Sequence, residues 1–483
     1  MQKKDSSSIA VMVLAAGQGK RMQSALPKVL HEVAGRPLLH HILNQIFAAS
    51  PEAHVAVIVG HGREQVIESI RKQESYQGRS IEFIAQLEQK GTGHAARCAI
   101  ESAWGQEQVQ KKRRVVILPG DLPLIPRALV EAISEGLGRG AVMKLLTCSL
   151  PDPTGYGRVV RRGKKGAVLR IVEEKDASPR EKAISEVAAS IYSFDSVFLA
   201  YSLKRLTTQN AQGEYYLTDL VSFAAASKKK IEVVSWSNPE DVRGVNDPWE
   251  LAIAARMMND RILKRHGRAG VKFQDLISTW VDDAVVLAPG VRVDSGAQLL
   301  GHTQIESGAS IGPHVMIKNS QVGERAEIKA GSVIESSRVG REAKVGPYAH
   351  LRPESHLGEF SKIGNFVELK KTSVGAHTSI AHLSYAGDAE IGQRVNIGCG
   401  FVTCNFDGRV INGSRKHKTI IEDDVFMGSD CQTIAPVRVG KGAYVASGST
   451  VSQDVEPDAL AIARSRQVNK PGYAKRLRAK ASS

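Results

Sequence analysis

The sequence predicts an α/β protein in two unlike parts: a mostly parallel sheet with helices on both faces, followed by a parallel β-helix of hexapeptide repeats. Two patterns carry this prediction. Up to about residue 247, buried apolar runs alternate with helical patterns, which is typical of a parallel sheet covered on both faces. After about residue 282, small or branched apolar residues recur every six positions, which is the signature of a parallel β-helix.

The first part has the pattern of a Rossmann-like domain, in which strands and helices alternate. The predicted strands are Ile9–Ala16, Val55–Val59, Val115–Leu118 and Ile231–Val234, with helices at Pro37–Ala49 and Arg63–Arg71. A further helical pattern, Pro248–His266, can connect the two parts. We therefore expect a first domain at 1–247, a linker helix at 248–281, a β-helix at 282–462 and a basic tail at 463–483.

In the second part the six-residue step is unbroken over two stretches. The small inward residues are Val285, Val291, Ala297, Thr303, Ala309 and Val315, and then Val425, Cys431, Val437, Ala443 and Ser449. Three hexads would close one coil of roughly 18 residues, and its narrow interior agrees with an aromatic content of only 5%. The phase slips between Gly364 and Gly392 and around Asp407–His417, where we expect loops to leave the coil. A flat face of the prism would be poorly covered, which predicts a homo-oligomer, most simply a trimer.

Composition narrows the possible classes of protein. The chain has 483 residues, 42% of them hydrophobic and 24% charged, the balance of a globular protein. No apolar run approaches the roughly 18 residues of a membrane span, and the run Ile9–Ala16 is too short for a secretory signal. The net charge is +15, and 461–483 holds seven basic residues and no acidic one. That tail is either solvated or binds phosphate-rich ligands, and no motif indicates nucleic acid. Five cysteines without zinc-site spacing predict buried free thiols in a reducing cytoplasm.

A glycine loop follows the first predicted strand, in Leu14–Met22. Backbone N–H groups of such a loop can approach a phosphate closely, and a helix after it would add positive potential. Arg21 and Lys28 stand beside the loop and fit a triphosphate better than a dinucleotide. The patterns GxGxxG and GxxxxGK[ST] are both absent. Asp121 ends another buried strand, where open α/β sheets place ligands. It is either a turn residue or a ligand of Mg²⁺, which prefers oxygen.

Several motifs, in order along nearly the whole chain, resemble one family. They are LAAGQGKRM…LPK (14–28), QLEQKGTGHA (86–95), PGDLPL (119–124), PTGYGR (153–158), IVEEKDA (171–177), NAQGEYYLTD (210–219), GVND (244–247), HLRP (350–353), GNFVELKK (364–371), AHLSYAGDAEIG (381–392), NIGCGFVTCNFDG (396–408), KHKTII (416–421) and FMGSD (426–430). The first half resembles sugar-phosphate nucleotidyltransferases. The whole chain resembles the bifunctional bacterial N-acetylglucosamine-1-phosphate uridyltransferase/glucosamine-1-phosphate acetyltransferases. The resemblance implies a nucleotidyltransferase domain, a left-handed β-helix and a bacterial cytoplasmic location.

For the first domain, the resemblance implies a UTP site with Mg²⁺ as the cofactor. The sugar 1-phosphate oxygen would attack the α-phosphorus of UTP and pyrophosphate would leave, so positioning and charge neutralisation would supply the rate. Lys28 and Arg21 would act on the triphosphate, and Asp121 and Asn246 would hold the metal. The other residues of the UTP and UDP-sugar site would be Leu14, Ala15, Ala16, Gly17, Gln86, Gly91, Thr92, Gly157 and Glu173.

One departure from the family lies in the sugar site. The family pattern E-[IV]-N-[TA]-G-I reads Glu186-Val-Ala188-Ala-Ser190-Ile191 in this chain. Ala188 cannot donate the hydrogen bond that an Asn gives the N-acetylglucosamine, and such a loss costs about 1–3 kcal/mol. We expect uridyl transfer to be retained with relaxed sugar specificity.

For the second domain, the resemblance implies acetyl transfer from acetyl-CoA to glucosamine 1-phosphate, with His382 as the base. A histidine suits this role near neutral pH. The glucosamine phosphate would contact Arg352, Lys370, Tyr385, Asn396 and Lys416, and the acetyl-CoA Asn405, Phe406, Ser429, Ser447 and Arg464. Phe406 replaces a Tyr, Ser447 replaces an Ala, and the loop before Lys416 is longer than in the family.

Two other functions remain open from the sequence. One is a nucleotidyltransferase whose β-helix only oligomerises or regulates, as in ADP-glucose or GDP-mannose pyrophosphorylases. The other is a non-catalytic assembly subunit with a degenerate transferase domain. The polar and basic residues around His382 argue against the first, and Lys28, Asp121 and Asn246 argue against the second. Neither nucleic acid nor a membrane is an expected partner.

Overall fold

The chain folds into two compact units, Met1–Met258 and Asn259–Ser483. The computed structural model describes residues 9–163, 166–411 and 413–481. The division falls inside the predicted connecting helix, which extends over Pro248–Arg268. The domain boundaries expected at residues 247 and 282 stay a prediction. Within the described ranges, no helix has both the length and the apolar character that a membrane span needs.

The first unit is built on the alternation that its sequence predicts. Its strands are β1 (Ala10–Ala15), β2 (Glu32–Val33), β3 (Arg36–Pro37), β4 (His54–Val59), β5 (Ile81–Ala85), β6 (Arg114–Pro119), β7 (Ala141–Ser149), β8 (Gly157–Arg161), β9 (Val168–Val172), β10 (Glu186–Asp195) and β11 (Lys230–Ser235). Its helices are α1 (Leu38–Ala49), α2 (Arg63–Arg71), α3 (Thr92–Glu101), α4 (Ala103–Gln110), α5 (Arg127–Ser134), α6 (Pro179–Lys182), α7 (Ser196–Leu203) and α8 (Asp219–Ala226), followed by α9 (Pro248–Arg268). The four predicted strands are present to within one residue at each end.

The main sheet has a parallel centre and an antiparallel insertion. Its strand order is β11-β7-β10-β6-β1-β4-β5. Strands β1, β4, β5 and β6 are parallel, whereas β10 runs antiparallel to both β6 and β7. Strands β8 and β9 extend from β10 as an antiparallel pair. The carboxyl ends of β1, β4, β5 and β6 therefore meet at one edge, where such sheets bind ligands.

Two hydrophobic cores cover the two faces of this sheet. Val11 and Val13 of β1 are buried in one core, and Ala10 and Met12 are buried in the other. Since side chains alternate along a strand, a continuous apolar run is needed only where both faces are covered. The prediction of helices on both faces is confirmed.

The second unit is a parallel β-helix with three sheets. The first sheet contains Lys272–Phe273, Arg292–Val293, Ser310–Ile311, Glu327–Ile328, Lys344–Val345, Lys362–Asn365, Ser379–His382, Asn396–Ile397, Phe426–Met427, Tyr444–Val445 and Leu460–Ala461. The second contains Trp280–Val281, Gln298–Leu300, Met316–Lys318, Val333–Glu335, His350–Leu351, Glu368–Lys370, Tyr385–Gly387, Val402–Cys404, Gln432–Ile434 and Thr450–Val451. The third contains Val286–Leu287, Gln304–Ile305, Gln321–Val322, Arg338–Val339, His356–Leu357, Ser373–Val374, Ala389–Ile391, Thr419–Ile421 and Val437–Val439.

The interior of the coil has two ladders of inward side chains for each face. The predicted six-residue ladder is buried throughout, from Val285 to Val315 and from Val425 to Ser449. A second ladder of larger residues, such as Leu299 and Ile311, lies two positions later and is also buried. The sequence analysis identified only the first ladder, because the larger residues obey the same six-residue step and add no separate period.

The expected loop between Gly364 and Gly392 is wrong, whereas the second expected loop is confirmed. Strands continue without a break through the first segment, and Ile363 pairs with Ile380, 17 residues on. Elsewhere Val293 pairs with Ile311, 18 residues on. A coil shortened by one turn residue therefore shifts the phase without releasing a loop. The second slip is a hairpin, Phe406–Ile411 with Ser414–Lys416.

The exposure of the basic tail and of the cysteines bears on two smaller predictions. Residues 463–480 of the basic tail are exposed, and the tail contains the helix α10 (Tyr473–Ala481). All five cysteines are free, but only Cys148 and Cys431 are buried, and Cys399 and Cys404 are exposed. The prediction of buried thiols is therefore wrong for those two.

Candidate functional sites

The glycine loop after β1 makes a sharp turn beside Lys28. Gly19 has φ = +61°, and a Cβ added there would lie 2.7 Å from the Lys28 Cβ. Both facts require glycine at this position. The loop continues into short 3₁₀ turns, Lys20–Met22 and Lys28–Leu30. The helix expected after the loop is therefore wrong, and its end cannot supply the potential of a full helix. Arg21 is exposed in the first of these turns.

Lys28 brings together three segments at the carboxyl edge of the sheet. Its Nζ lies 2.5 Å from Asp121 Oδ2 and donates a hydrogen bond of 2.8 Å to Asn246 Oδ1. The side chains of Lys28 and Asp121 are only 13% and 21% exposed, so this ion pair is screened less than a surface pair. Asn246 is fixed in turn, because its backbone N–H donates to Glu250 at 2.7 Å.

The donor set around Lys28 Nζ fits Mg²⁺. Asp121 and Asn246 present two oxygens that converge on one small cation. Mg²⁺ prefers oxygen ligands and takes the remainder from water and substrate phosphates, so two protein ligands suffice. Among the described residues, no group of three or more His, Cys, Asp or Glu could hold a metal, and the metal site expected at Asp121 and Asn246 stays a prediction.

The segment after β5 is fixed by hydrogen bonds that its own side chains make. Gln86 is 5% exposed, and its Nε2 donates to Gly91 O at 3.1 Å. Gln89 Nε2 donates to Ala16 O at 2.8 Å, which ties the segment to the glycine loop. Thr92 begins α3, and its hydroxyl accepts from Leu217 N at 3.2 Å. A cavity of about 480 Å³ opens beside Gln86 and is lined by the ends of β4 and β5.

The expected sugar-binding residues Gly157 and Glu173 are adjacent. A Cβ on Gly157 would lie 2.7 Å from Ile171 and 3.6 Å from Glu173 Oε2, so glycine gives close access to this carboxylate. Thr218 donates to Glu173 Oε1 at 2.9 Å. Burial raises the pKa of the Glu173 carboxyl, and the nearby carboxylates Asp176 and Asp219 add to that rise.

Ala188 lies beside Gly157. It pairs with Gly157 of β8 across the sheet and is 3% exposed. The register of β10 shifts immediately after Ala188, and Ser190 in that irregularity has φ = +57°. The left-handed region favours glycine, and the family pattern has glycine at this position. The structure thus contains two departures from the pattern on one short stretch of β10.

His382 lies on a ladder that runs along the β-helix. It ends the strand Ser379–His382 and pairs with Asn365 of the preceding coil. In the same register, the equivalent positions on the following coils are Cys399, Ser429 and Ser447. Asp430 N donates to Cys399 O at 2.6 Å and Gly448 N donates to Ser429 O at 2.8 Å. His382, Ser429 and Ser447 are all exposed. With one step of about 4.8 Å, Ser429 stands roughly 10 Å along the ladder from His382.

Glycines keep the corner beside this ladder narrow. A Cβ on Gly398 would lie 2.6 Å from Ser429 N, and one on Gly428 would lie 2.5 Å from Ser447 N. Arg464 approaches the far end, with its Cδ 3.7 Å from a Cβ built on Gly448. The structure therefore places three of the residues expected to bind acetyl-CoA, Ser429, Ser447 and Arg464, along one edge.

Tyr385 and Asn405 meet over Gly387. A Cβ on Gly387 would lie 2.3 Å from the Tyr385 hydroxyl and 2.8 Å from Asn405 Nδ2. Asn405 is buried, and its Nδ2 donates to Asp388 Oδ2 at 2.5 Å. Burial raises the pKa of Tyr385, so its hydroxyl stays protonated and can donate a hydrogen bond to a substrate oxygen.

Two of the expected phosphate-binding cations, Arg352 and Lys370, lie at or directly after the ends of strands in the sheet that contains Tyr385. Arg352 Nη1 donates to Glu368 Oε1 at 2.8 Å, and Glu368 pairs with Tyr385 on the neighbouring strand. Lys370 pairs with Gly387 two positions along the same strands. Glu368 lies within the motif 364–371, but its role was not predicted, because only the distance to Arg352 identifies it as a partner.

Asn396 and Lys416 lie in different surroundings from this cluster. Asn396 is exposed and pairs with Phe426, which stacks on Tyr444 with ring centroids 4.5 Å apart. Lys416 lies on the hairpin, with its Nζ 4.6 Å from the centroid of the Phe406 ring. Lys416 lies over this ring because the two residues pair across the hairpin.

Comparison with known proteins gives matches to both parts of the chain. The model of the MobA-like NTP transferase domain matches residues 11–149. The models of the GMPPB C-terminal domain and of the hexapeptide repeat of succinyl-transferase match residues 281–388 and 418–453. The protein named Bifunctional protein GlmU from Trichlorobacter lovleyi is 44% identical over 468 residues, 96% of this chain and 97% of its own length. Its namesakes from Halalkalibacterium halodurans and Exiguobacterium sibiricum are 41% and 44% identical, each over 463 residues, which is 96% of this chain and 97% and 99% of theirs.

The buried carboxyl of Glu173 predicts a stabilising substitution. Because its pKa is raised in the folded state, the stability it contributes is present at low pH and is lost as the pH rises through that pKa. Glu173→Gln keeps the acceptor for Thr218 and should raise the melting temperature at pH 8 by roughly 2 °C, the shift that about 1 kcal/mol gives a unit of this size. The gain should vanish at pH 4, as followed by circular dichroism.

The neighbouring Glu174 is the matched control. It pairs with the buried Arg158 at 2.7 Å, and that hydrogen bond lowers its pKa. Glu174→Gln should therefore lower the melting temperature at pH 8. A lower melting temperature for Glu173→Gln as well would show that the Glu173 charge is stabilised rather than strained by its surroundings.

Proposed function

The chain belongs to the family of bifunctional GlmU proteins, and we propose how its residues divide the work of that family. It is a bifunctional transferase. Its second unit acetylates glucosamine 1-phosphate with acetyl-CoA, and its first unit couples N-acetylglucosamine 1-phosphate to UTP, which gives UDP-N-acetylglucosamine and pyrophosphate. The observation that carries the assignment of residues is the presence of both candidate sites, the cluster of Lys28 with Asp121 and Asn246 and the ladder that begins at His382.

In uridyl transfer, the first unit binds and neutralises the triphosphate. The phosphate oxygen of the sugar attacks the α-phosphorus, a new P–O bond forms, and the bond to the β-phosphate bridge breaks as pyrophosphate leaves. Lys28 and Arg21 face the charge on the leaving group, and the glycine loop from Leu14 to Gly17 supports the nucleotide. Gln86, Gly91 and Thr92 hold the base, while Gly157 and Glu173 hold the sugar. The reaction needs no protein nucleophile, so fixed positive charge is the main contribution.

Mg²⁺ is the proposed cofactor, held by Asp121 and Asn246. When bound, it neutralises charge on the phosphates and orients them for displacement. Lys28 contacts the same two oxygens, so we assign its ammonium to the phosphates when they are present.

In acetyl transfer, His382 takes a proton from the amine of glucosamine 1-phosphate. The amine nitrogen attacks the thioester carbon, a C–N bond forms, and coenzyme A leaves as the C–S bond breaks. Ser429 is placed to polarise the thioester carbonyl, with Asn405, Phe406, Ser447 and Arg464 along the coenzyme. Arg352, Lys370, Tyr385, Asn396 and Lys416 are assigned to the sugar phosphate, with Lys416 on the lengthened hairpin.

The alternatives with a purely structural β-helix or without catalysis are less favoured. The match to the GMPPB C-terminal domain ends at residue 388, whereas the GlmU relatives align over 96% of the chain. A structural coil would also need no ladder of exposed His, Cys and Ser residues along one glycine-lined corner.

A pair of variants separates the two activities. His382→Ala should lower acetyl transfer by about 10²–10⁴-fold, the usual contribution of a general base, and leave uridyl transfer within twofold of the wild type. Asp121→Ala should remove Mg²⁺-dependent uridyl transfer and leave acetyl transfer intact. Release of coenzyme A and of pyrophosphate measures the two rates. Acetyl transfer near the wild-type rate in His382→Ala would refute the assignment of the base.

The sugar preference tests the departure at Ala188. The wild type should discriminate weakly between N-acetylglucosamine 1-phosphate and glucose 1-phosphate. The ratio of the two kcat/KM values should be smaller than in a site that has Asn at this position. Ala188→Asn should shift the ratio towards the N-acetyl sugar by roughly 5- to 150-fold, which corresponds to the loss of about 1–3 kcal/mol.

Ala189→Asn is the control for this substitution. Ala189 is equally buried but lies in the core on the opposite face of the sheet, so the change should cost stability without changing the ratio. An absence of uridyl transfer with either sugar would contradict the proposed activity of the first unit.

We also propose that the β-helix assembles into a homotrimer in the bacterial cytoplasm. Tyr348, Phe366 and Leu383 form an exposed apolar row on successive coils, and the first two stack at 5.7 Å. Such a row favours coverage by another copy. Light scattering on the full chain should give three times its 52.2 kDa, and Phe366→Glu should lower that mass. A wild-type mass of one chain would exclude the trimer.

A further inference from the structure

The carboxamide of Gln86 is held in one orientation by two acceptors. Its Nε2 donates to Gly91 O at 3.1 Å and lies 3.1 Å from His94 Nδ1. A backbone carbonyl can only accept a hydrogen bond, so the group that faces Gly91 O must be the NH₂. With one N–H directed at Gly91 O and the other at His94 Nδ1, both amide protons are used. Gln86 Oε1 is left as the group that can meet a ligand.

His94 is itself fixed in the position of an acceptor. It lies in the first turn of α3. Since Nδ1 accepts from Gln86, the proton of the neutral ring is on Nε2, which faces Cys98 Sγ at 3.8 Å. The ring stacks on Tyr215, with centroids 6.3 Å apart and planes inclined by 28°.

Two backbone hydrogen bonds join Tyr215 to the segment that carries His94. Its N–H donates to Lys90 O at 2.9 Å, and its carbonyl accepts from Gly93 N at 2.8 Å. The chain therefore holds the His94 ring between the start of α3 and a loop that is distant in sequence.

We propose that His94 is a positioning residue that orients Gln86 for recognition of the nucleobase. The inference rests on the proposed function, in which the first unit binds UTP near Gln86. A carboxamide whose NH₂ is occupied can only accept from the base, so it selects a base with a ring N–H at that edge. Uracil has such a group at N3, whereas cytosine has an unprotonated nitrogen there. His94 thus contributes to the choice of uracil without contacting it.

Three substitutions of His94 test this role. His94→Phe keeps an aromatic ring on Tyr215 and His94→Leu removes the ring, and both lack the acceptor. Each should raise KM for UTP by roughly 3- to 10-fold, the value of one hydrogen bond, and lower the preference for UTP over CTP by a similar factor. The kcat and the KM for the sugar phosphate should stay within twofold. His94→Asn restores an acceptor oxygen and should recover most of the loss.

Controls separate this inference from the proposed function and from misfolding. Cys98→Ala removes the contact on the far side of the ring and should leave both KM values unchanged. Acetyl transfer by the same preparations should be normal, which reports on the rest of the chain. A wild-type KM for UTP and a wild-type UTP preference in either His94→Phe or His94→Leu would overturn the inference. Failure of the wild type to use UTP at all would overturn the proposed function instead.

Discussion

One partly buried ammonium group, that of Lys28, determines the geometry of the first site. It joins the glycine loop after β1, the end of β6 through Asp121, and the segment before α9 through Asn246. An ammonium withdrawn from water requires partners, because desolvation is otherwise costly. The side chain of Lys28 is only 13% exposed. Its ammonium group is therefore stable in this position only while Asp121 and Asn246 accept its hydrogen bonds. This contact sets the spacing of the three segments, and the order of strands at the carboxyl edge brings them together.

The second site depends on a different constraint, which is the narrow corner of the coil. Gly398 and Gly428 have no room for a side chain against the backbone of the next coil. Adjacent coils can therefore approach closely, and the residues just beyond these glycines are stacked in register along one edge. A long, thin coenzyme fits an edge of that kind better than a deep pocket. The same repetition that stabilises the fold thus produces a line of exposed polar side chains, with His382 at one end and Arg464 near the other.

Sequence patterns predict the parts of this molecule that repeat or that are continuously apolar. Strands such as β1 and β6 are predictable because both faces are buried, and the coil is predictable because its inward residues obey one period. The antiparallel strand β10 was missed because its sequence alternates less clearly and its pairing depends on β6 and β7. The shortened coils were misread as loops, since a phase shift of one residue looks the same in either case. His94 and Glu368 lie inside motifs 86–95 and 364–371, but only distances show that they contact Gln86 and Arg352.

The two departures on β10 indicate which part of the first site has changed. Ser190 adopts φ = +57° in a region that costs a non-glycine residue roughly 1–2 kcal/mol, and Ala188 stands where the resemblance implies an Asn that contacts the sugar. Ala188 pairs with Gly157, and Ser190 lies two residues further along the same strand. By contrast, Lys28, Asp121 and Asn246 keep their mutual contacts at 2.5 and 2.8 Å. Phosphoryl chemistry depends on charge and distance, whereas sugar choice depends on individual hydrogen bonds. A chain can therefore alter its sugar corner without disturbing the step that transfers the nucleotide, because the two requirements are met by different strands.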